Sequence, residues 1–445
     1  MNSWDEVAAW LASRAERTIE TSCARVHLAG DLAWKIKRPV KLPFLDFSTP
    51  QKRKWALDRE LAFNRRWAGD IYRAVRPISA ASAGFAVDGP GEAVEWLLEM
   101  RRFDPDAVLS NRPEVVDGDL AETIGRLIAR GHLAAPIAPD GGGAATLAYT
   151  VGTNEHALRA SALDRNAVES LIETTRAAAA AIGPLLEMRR REGFARECHG
   201  DLHLGNILLE DVAPILFDCI EFNDRLSRID VLYDAAFPVM DLAVRGRAGP
   251  ANRLLNAWLD QATGGFPASE WDGLAALPLF LSIRAAIRAH VTAATGEAEM
   301  AGLYLAAAQA ALEPTAPSLF AVGGLSGSGK SHFARRLAPL VPASPGAVVL
   351  RSDEIRRRTG GRHDAEADAR VYDEMFDLAA RVLGAGRSAI LDATFLDPAM
   401  RARADGLGAR GLWLEGDPAL LRQRLAARRG DASEADGAVL DLQLG

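Results

Sequence analysis

Cysteine is scarce in this chain: three among 445 residues, Cys23, Cys198 and Cys219, with no C-x-x-C pair. That scarcity excludes a disulfide framework and a clustered zinc site, and it fits a reducing, cytoplasmic setting in which the three behave as small buried thiols. Positive charge is not in excess either. Lysine and arginine number 52 against 59 acidic residues, a net charge of −7, so no global basic field is present to hold a nucleic acid backbone. No apolar run approaches the roughly 20 residues that span a bilayer. Met1 to Glu20 reads as an amphipathic helical pattern with acidic residues and lacks the apolar core of a secretory signal.

What is present is the ordinary balance of a folded protein, 49% hydrophobic and 25% charged residues, over a length that a prior of roughly 150 residues per domain divides into two or three units. Pro314-Thr315-Ala316-Pro317 ends a helical, alanine-rich stretch and precedes an apolar strand from Ser318, which places a domain boundary there: 1–312 and 318–445. Upstream, Ala24 to Leu28 and Leu32 to Lys37 alternate around the hairpin turn Ala29-Gly30-Asp31. Asp46 to Trp67 reads as helix, Ala93 to Met100 as a third strand, and helices begin at about Asp119. Gly141-Gly142-Gly143 sits in a Pro/Gly/Ala-rich connection that reads as a mobile surface loop.

Two phosphate-handling patterns of different design stand out. The first, His199-Gly200-Asp201-Leu202-His203-Leu204-Gly205-Asn206, precedes an apolar segment, Ile207 to Leu209. A second apolar strand, Ile215 to Phe217, ends in Asp218. Phosphoryl transfer asks for an aligned acceptor hydroxyl, neutralised phosphate charge and a metal clamp. Asp201 could accept the acceptor's hydroxyl proton, while Asn206 and Asp218 could supply oxygen ligands to Mg2+. Upstream, Lys35 and Lys37 share one strand face. Lys35 is the candidate for the nucleotide phosphates with Lys37 as runner-up, and Glu60 could hold the lysine by an ion pair. His199 and His203 read as hydrogen-bonding supports of the loop.

The second pattern is Gly324-Leu325-Ser326-Gly327-Ser328-Gly329-Lys330-Ser331, a full G-x-x-x-x-G-K-S between an apolar strand and a helix. Amides from Ser326 to Lys330, through Gly327, Ser328 and Gly329, would cradle phosphate; Lys330 would reach the outer phosphates and Ser331 would bind Mg2+. Strands ending at Asp353 and Asp392 bring both acids to the same sheet edge. Asp353 is the candidate for orienting an acceptor hydroxyl and Asp392 for the metal shell. Arg422, Arg424, Arg428 and Arg429 would form a cationic lid, with Arg424 and Arg428 as nucleotide contacts.

His199 to Asn206 followed by Phe217-Asp218 resembles the catalytic loop and metal aspartate of the aminoglycoside phosphotransferase and choline kinase group, whose fold is similar to protein kinases. The resemblance implies a two-lobed kinase over about residues 1–312, ATP in its cleft, and Trp96 to Arg101 as a hinge meeting adenine. The early strands contain no G-x-G-x-x-G; the corresponding turn reads Glu20-Thr21-Ser22-Cys23-Ala24. The P-loop with Ser352-Asp353-x-x-Arg356, Asp392-Ala393-Thr394 and the arginines resembles small P-loop kinases, an α/β fold with a parallel sheet. Together the halves look like bacterial bifunctional proteins, and they imply an ATP- and Mg2+-dependent phosphotransferase acting on a hydroxyl of a small molecule. Two other readings stay open: a regulator in which one domain binds ATP without turnover, and a 5'-end nucleic acid kinase, which the charge balance and sparse aromatics disfavour.

Overall fold

The computed structural model describes residues 3–21, 23–42, 45–82, 84–360, 364–427 and 437–444. Ser22, Arg428 and Arg429, each part of a pattern above, lie outside them. By contacts the chain forms two compact units: Met1–Val115 with Ala135–Gly141 and Arg196–Ile229, and Val116–Ala134 with Gly142–Ala195 and Asp230–Gly445.

The first unit is built on a six-stranded antiparallel sheet. Helix α1 (Ser3–Ala12) opens it and buries Trp4, Val7, Ala8 and Leu11, an i, i+3, i+4, i+7 stripe, against Ile36, Ile78 and Leu97. The helical pattern expected to run to Glu20 stops there. Arg17–Glu20 instead forms β1, pairing with β2 (Ala24–Ala29), because β-branched Thr18 and Ile19 fit a pleated surface better than a helix. β3 (Leu32–Lys37) follows. Helix α2 (Pro50–Ala68) starts four residues later than expected: Thr49 caps it by accepting from Lys52 N, and Pro50 occupies the first turn. Asp46 pairs with Lys41 in a two-residue ladder. β4 (Tyr72–Ala81) and β5 (Gly84–Val87) had no clear signal, since Pro77 lies inside β4 and its burial does not alternate. With β6 (Ala93–Arg101) the sheet order is β1-β2-β3-β6-β4-β5. The hairpin β7 (Ile207–Glu210) and β8 (Ala213–Leu216) turns through Asp211 and Val212, both at positive φ, the geometry of a two-residue type I′ connection.

The second unit joins helices to a parallel sheet. α3 (Gly118–Ala134), α4 (Gly143–Ala160), α5 (Arg165–Arg191), α6 (Val231–Val244), α7 (Ala248–Ala262), α8 (Leu277–Ala294) and α9 (Ala298–Ala310) precede β9 (Leu319–Gly324). α10 (Lys330–Leu337), β10 (Val348–Arg351), α11 (Ser352–Arg358), α12 (Ala365–Gly384), β11 (Ala389–Asp392), α13 (Pro398–Gly406) and β12 (Arg410–Leu414) follow, then α14 (Pro418–Ala427) and α15 (Gly437–Leu444). The strand order β10-β11-β9-β12, all parallel, puts the phosphate-loop strand inside the sheet. The edge strand β10 is closed by α7: Asn252 donates to Ala347 O at 2.9 Å and Asn256 Oδ1 accepts from Val349 N at 2.7 Å. Two amides one helical turn apart thus satisfy backbone groups that an open edge would leave free.

Two expectations change. The triple glycine is packed rather than a mobile surface loop: a Cβ on Gly142 would lie 2.6 Å from the Ala195 Cβ, and one on Gly143 2.5 Å from Glu187 Oε1. And one stretch, Ala268–Ala294, is long and apolar enough to cross a membrane, although 67% of its most apolar window is buried inside the protein. Leu277, Leu279, Phe280 and Ile283 from it are core residues.

Candidate active sites

In the first unit the polar residues gather around α2. Lys35 Nζ lies 2.5 Å from Glu60 Oε1 and 3.3 Å from Asp218 Oδ1. Lys37, the runner-up, shares the same acid, 2.7 Å from Glu60 Oε2, and is held by Glu221 at 2.7 Å. One carboxylate therefore serves two ammonium groups, and a second carboxylate completes the set. Burial opposes charge on Glu60, yet the two lysines hold its carboxyl down at about 2. Burial likewise works against Lys35, but Asp218 and Glu60 keep it charged well above the usual lysine range. Glu221 moves the other way: burial pushes it up, with Lys37 only partly offsetting. Sequence reasoning missed Glu221, because a lone acid three residues after Asp218 has no local pattern.

α2 also grips the segment that carries Asp218. Arg59 Nε donates to Glu221 O at 2.9 Å and Asn64 Oδ1 accepts from Cys219 N at 2.9 Å. Asp218 sits at φ 60 with half its side chain exposed. A non-glycine residue in the left-handed region is strained, a condition that concentrates at functional sites. In the loop before β7, Asn206 Nδ2 donates to Asp201 O at 2.8 Å and to Asp201 Oδ2 at 3.1 Å. His203 Nδ1 accepts from Gly205 N at 2.9 Å, so Nε2 carries the proton and faces Asp201 Oδ2 at 3.4 Å. His199 Nε2 meets Phe217 O at 2.9 Å, tying the Asp201 loop to the Asp218 strand. Gly200 is at φ +87, and a Cβ there would lie 2.8 Å from Leu226 O. Only glycine fits that turn.

These groups border a cleft of about 430 Å³ whose walls are apolar, among them Val26, Leu28, Ala33, Met100, Phe103 and Phe217. Lys35, Lys37, Asp201, Asp218 and Glu221 also line it. A largely apolar cleft that also carries lysines and carboxylates suits a purine with a phosphate tail and a divalent cation. The hinge expectation shifts along the chain. Trp96 to Glu99 pair on both sides within the sheet or on β4, and the lining residues are Met100 to Phe103.

In the second unit the glycine loop leaves β9 and enters α10. Gly327 is at φ +80, and a Cβ there would lie 2.8 Å from Leu421 O of α14. Ser328 Oγ is buried with no hydrogen-bond partner among the described residues, an orphaned polar atom where phosphate is expected. Lys330 Nζ donates to Leu325 O at 2.9 Å, and Ser326 N donates to Gln443 Oε1 at 2.8 Å. Arg351, at the end of β10, reaches Ser331 Oγ at 3.2 Å and Asp392 Oδ2 at 3.3 Å. Burial pushes the Asp392 carboxyl up, while Arg351 and Ser331 pull it back. Asp353, in the first turn of α11, is close enough to Asp392 to add repulsion. Of the lid arginines, Arg424 comes within 4.0 Å of the Cβ position on Gly329, whereas Arg422 turns to Asp441. Arg351 was missed as a site residue, since the acid two positions later carried the recognisable pattern. The chemistry of both sites, hydroxyl, amide and carboxylate oxygens beside lysine, fits Mg2+ and a nucleotide.

A family model described as "Phosphotransferase enzyme family" matches residues 50–277. The chain belongs to this family. A second model, described as an AAA domain, matches residues 319–445, the P-loop part of the phosphotransferase. Proteins of Mycobacterium tuberculosis and Mycobacterium bovis that carry the description "uncharacterized" are 32% identical over 419 residues, covering 88% of this chain and 80% of theirs. Among solved structures, a glucosamine kinase aligns with a TM-score of 0.38 at 17% identity, covering 68% of this chain and 79% of that one. An amicoumacin kinase in complex with AMP-PNP, Ca2+ and Ami aligns at 0.40 and 11%, covering 68% of this chain and 92% of that one. The phosphotransferase is a kinase of mixed α/β architecture with a P-loop region built on a parallel sheet.

Proposed function

We propose that this phosphotransferase holds two Mg2+-dependent ATP sites and moves a γ-phosphoryl group to a hydroxyl of a small molecule in the cytoplasm. The observation that carries the reading is that Lys35, Asp201 and Asp218 line one largely apolar cleft, with Glu60 paired to Lys35 and Asn206 to Asp201. In the first site the cleft takes adenine, and Lys35 turns from Asp218 to the phosphates. Asn206 Oδ1 and Asp218 would hold Mg2+, which supplies charge neutralisation across the phosphate oxygens. Asp201 receives the acceptor's proton as its oxygen bonds to phosphorus and the bond to the ADP oxygen breaks. His203 and Asn206 keep that carboxylate aimed. In the second site the loop amides, Lys330, Ser331 and Asp392 take the nucleotide, and Asp353 orients a second acceptor. The acceptor is a small molecule, in keeping with the glucosamine and amicoumacin kinases above. Labelled γ-phosphate transfer across a panel of amino sugars, amino alcohols and antibiotics tests this: transfer lost in Asp201→Asn with ATP binding intact supports it, and undiminished transfer removes Asp201 from the role.

A regulatory reading, in which the P-loop site binds ATP without turnover, has its own support in the closed state of that site. Its loop amide, lysine and metal-side oxygens are each engaged by the chain itself. ATP consumption by Lys330→Ala against Lys35→Ala separates the two readings.

A further inference from the structure

β10 and β11 are parallel neighbours in which Arg351 is registered with Asp392, so the two side chains leave the sheet on the same side. Both are nearly inaccessible, 6% and 3% exposed. The guanidinium reaches in several directions. Nε meets Asp392 Oδ2 at 3.3 Å, Nη2 meets Ser331 Oγ at 3.2 Å and Nη1 meets Glu354 Oε1 at 3.1 Å. The first two partners are the oxygens proposed above for Mg2+. A buried carboxylate needs a counter-charge, and here a tethered side chain provides it.

We propose that Arg351 is the resident cation of the P-loop site: it holds Ser331 and Asp392 around one cation position and gives that position up when Mg2+ arrives with nucleotide. The inference rests on the reading of this site as a metal-nucleotide site. A guanidinium and a divalent ion repel, so they cannot share two buried oxygens. Arg351 has somewhere to go, because Glu354 anchors its third arm on α11 and a small cavity of about 50 Å³ lies beside both residues. The rest of the site follows the same logic. The Gln443 carboxamide oxygen accepts from Ser326 N as a phosphate oxygen would, and the Lys330 ammonium rests on Leu325 O. The chain thus carries stand-ins for both the anion and the cation, and nucleotide must displace them together. Because Glu354 adjoins Asp353, release of Arg351 also changes the load on the helix that carries the acceptor acid.

The test is binding of Mn2+ with ADP to the full chain, followed by electron paramagnetic resonance, with Lys330→Ala marking the share of binding that belongs to this site. Arg351→Met removes the competitor and should bind Mn2+·ADP there about tenfold more tightly than the unaltered chain. It should also melt lower without ligand and regain more on adding Mn2+·ADP. Arg351→Lys keeps the charge and reaches only one of the two oxygens; it should bind about threefold more tightly, and it stands in if the methionine variant does not fold. Equal or weaker binding in both variants, while Lys330→Ala still abolishes the site's share, overturns the inference and leaves the nucleotide site standing. If Lys330→Ala changes nothing, the metal-nucleotide reading falls and takes this one with it.

Discussion

The two proposed phosphate sites meet one electrostatic problem in opposite ways. The P-loop site is written in one run of eight residues, Gly324 to Ser331, and relies on backbone amides that glycine leaves open. The cleft site draws Lys35 and Asp218 together across 183 positions and relies on buried side-chain charge. A local loop needs little from the rest of the fold to keep its shape. A dispersed site needs the whole unit, since burying two ammonium groups and two carboxylates is tolerable only when each is paired. The comparison predicts that substitutions in the buried charge cluster of the cleft cost stability as well as chemistry, while those at its exposed acid and in the loop cost chemistry alone.

The largest effect should come from Asp201→Asn. Removing the proposed proton acceptor, which a histidine and an asparagine hold in place, should cut transfer by the cleft by about 10³-fold, while the melting temperature stays within a few degrees. Rate and thermal melting on the same sample check this, and an equal loss in Lys330→Ala would break the independence of the sites. Next is Glu60→Gln. It leaves Lys35 and Lys37 with one fewer buried carboxylate, so the first unit should lose about 3–5 kcal/mol in denaturant unfolding. Lys330→Ala should lose far less, since it leaves the buried ion-pair cluster of the first unit untouched.

A pH scan sharpens the contrast from the other unit. Burial pushes the Glu270 carboxyl up to about 8, with Arg189 and Arg358 only partly offsetting. Its folded value lies above the ordinary 4.5, so the folded state binds the proton more tightly. That contribution is fully present below about pH 4.5 and is lost as pH rises toward 8, by roughly 1.4 kcal/mol for each pH unit. Glu270→Gln should flatten this part of the stability profile in urea titrations at pH 5 to 8. A slope unchanged by the substitution would assign it to other groups.

How far the sequence could be read follows the same division. The P-loop, its flanking strand and helix, and the strands ending at Arg351 and Asp392 were legible because each rule spans fewer than ten residues. Lys35, Glu60, Asp201, Asn206 and Asp218 were picked out through the order of residue types along the chain, and Lys35 contacts Glu60 and Asp218 as Asn206 contacts Asp201. Geometry was harder to see. β4 was hidden by Pro77 and irregular burial, and α1 ran on in the pattern because nothing in residues 13–16 marks a stop as glycine or proline would. Glu221 and Arg351 act through tertiary partners and have no local signature. The triple glycine read as a loop because its composition is that of a loop; close approach by Ala195 and Glu187 is what requires it.

The smallest effect tests how the second site is supported. Asn256 lies on α7, outside the P-loop segment, yet its Oδ1 accepts from Val349 N on the edge strand that ends at Arg351. Asn256→Ala removes that acceptor and leaves a backbone N-H at a largely closed sheet edge, a loss of about 1–3 kcal/mol if water cannot reach it. Asn252, one turn earlier, still holds Ala347 O, so the strand should stay in register and the P-loop should keep its nucleotide. Hydrogen exchange should then speed up at Val349 and its neighbours, with ADP binding within about twofold of the unaltered chain. Loss of binding comparable to Lys330→Ala would mean that the loop is less self-sufficient than its contiguous motif implies, and the contrast between the two sites would narrow to one of degree.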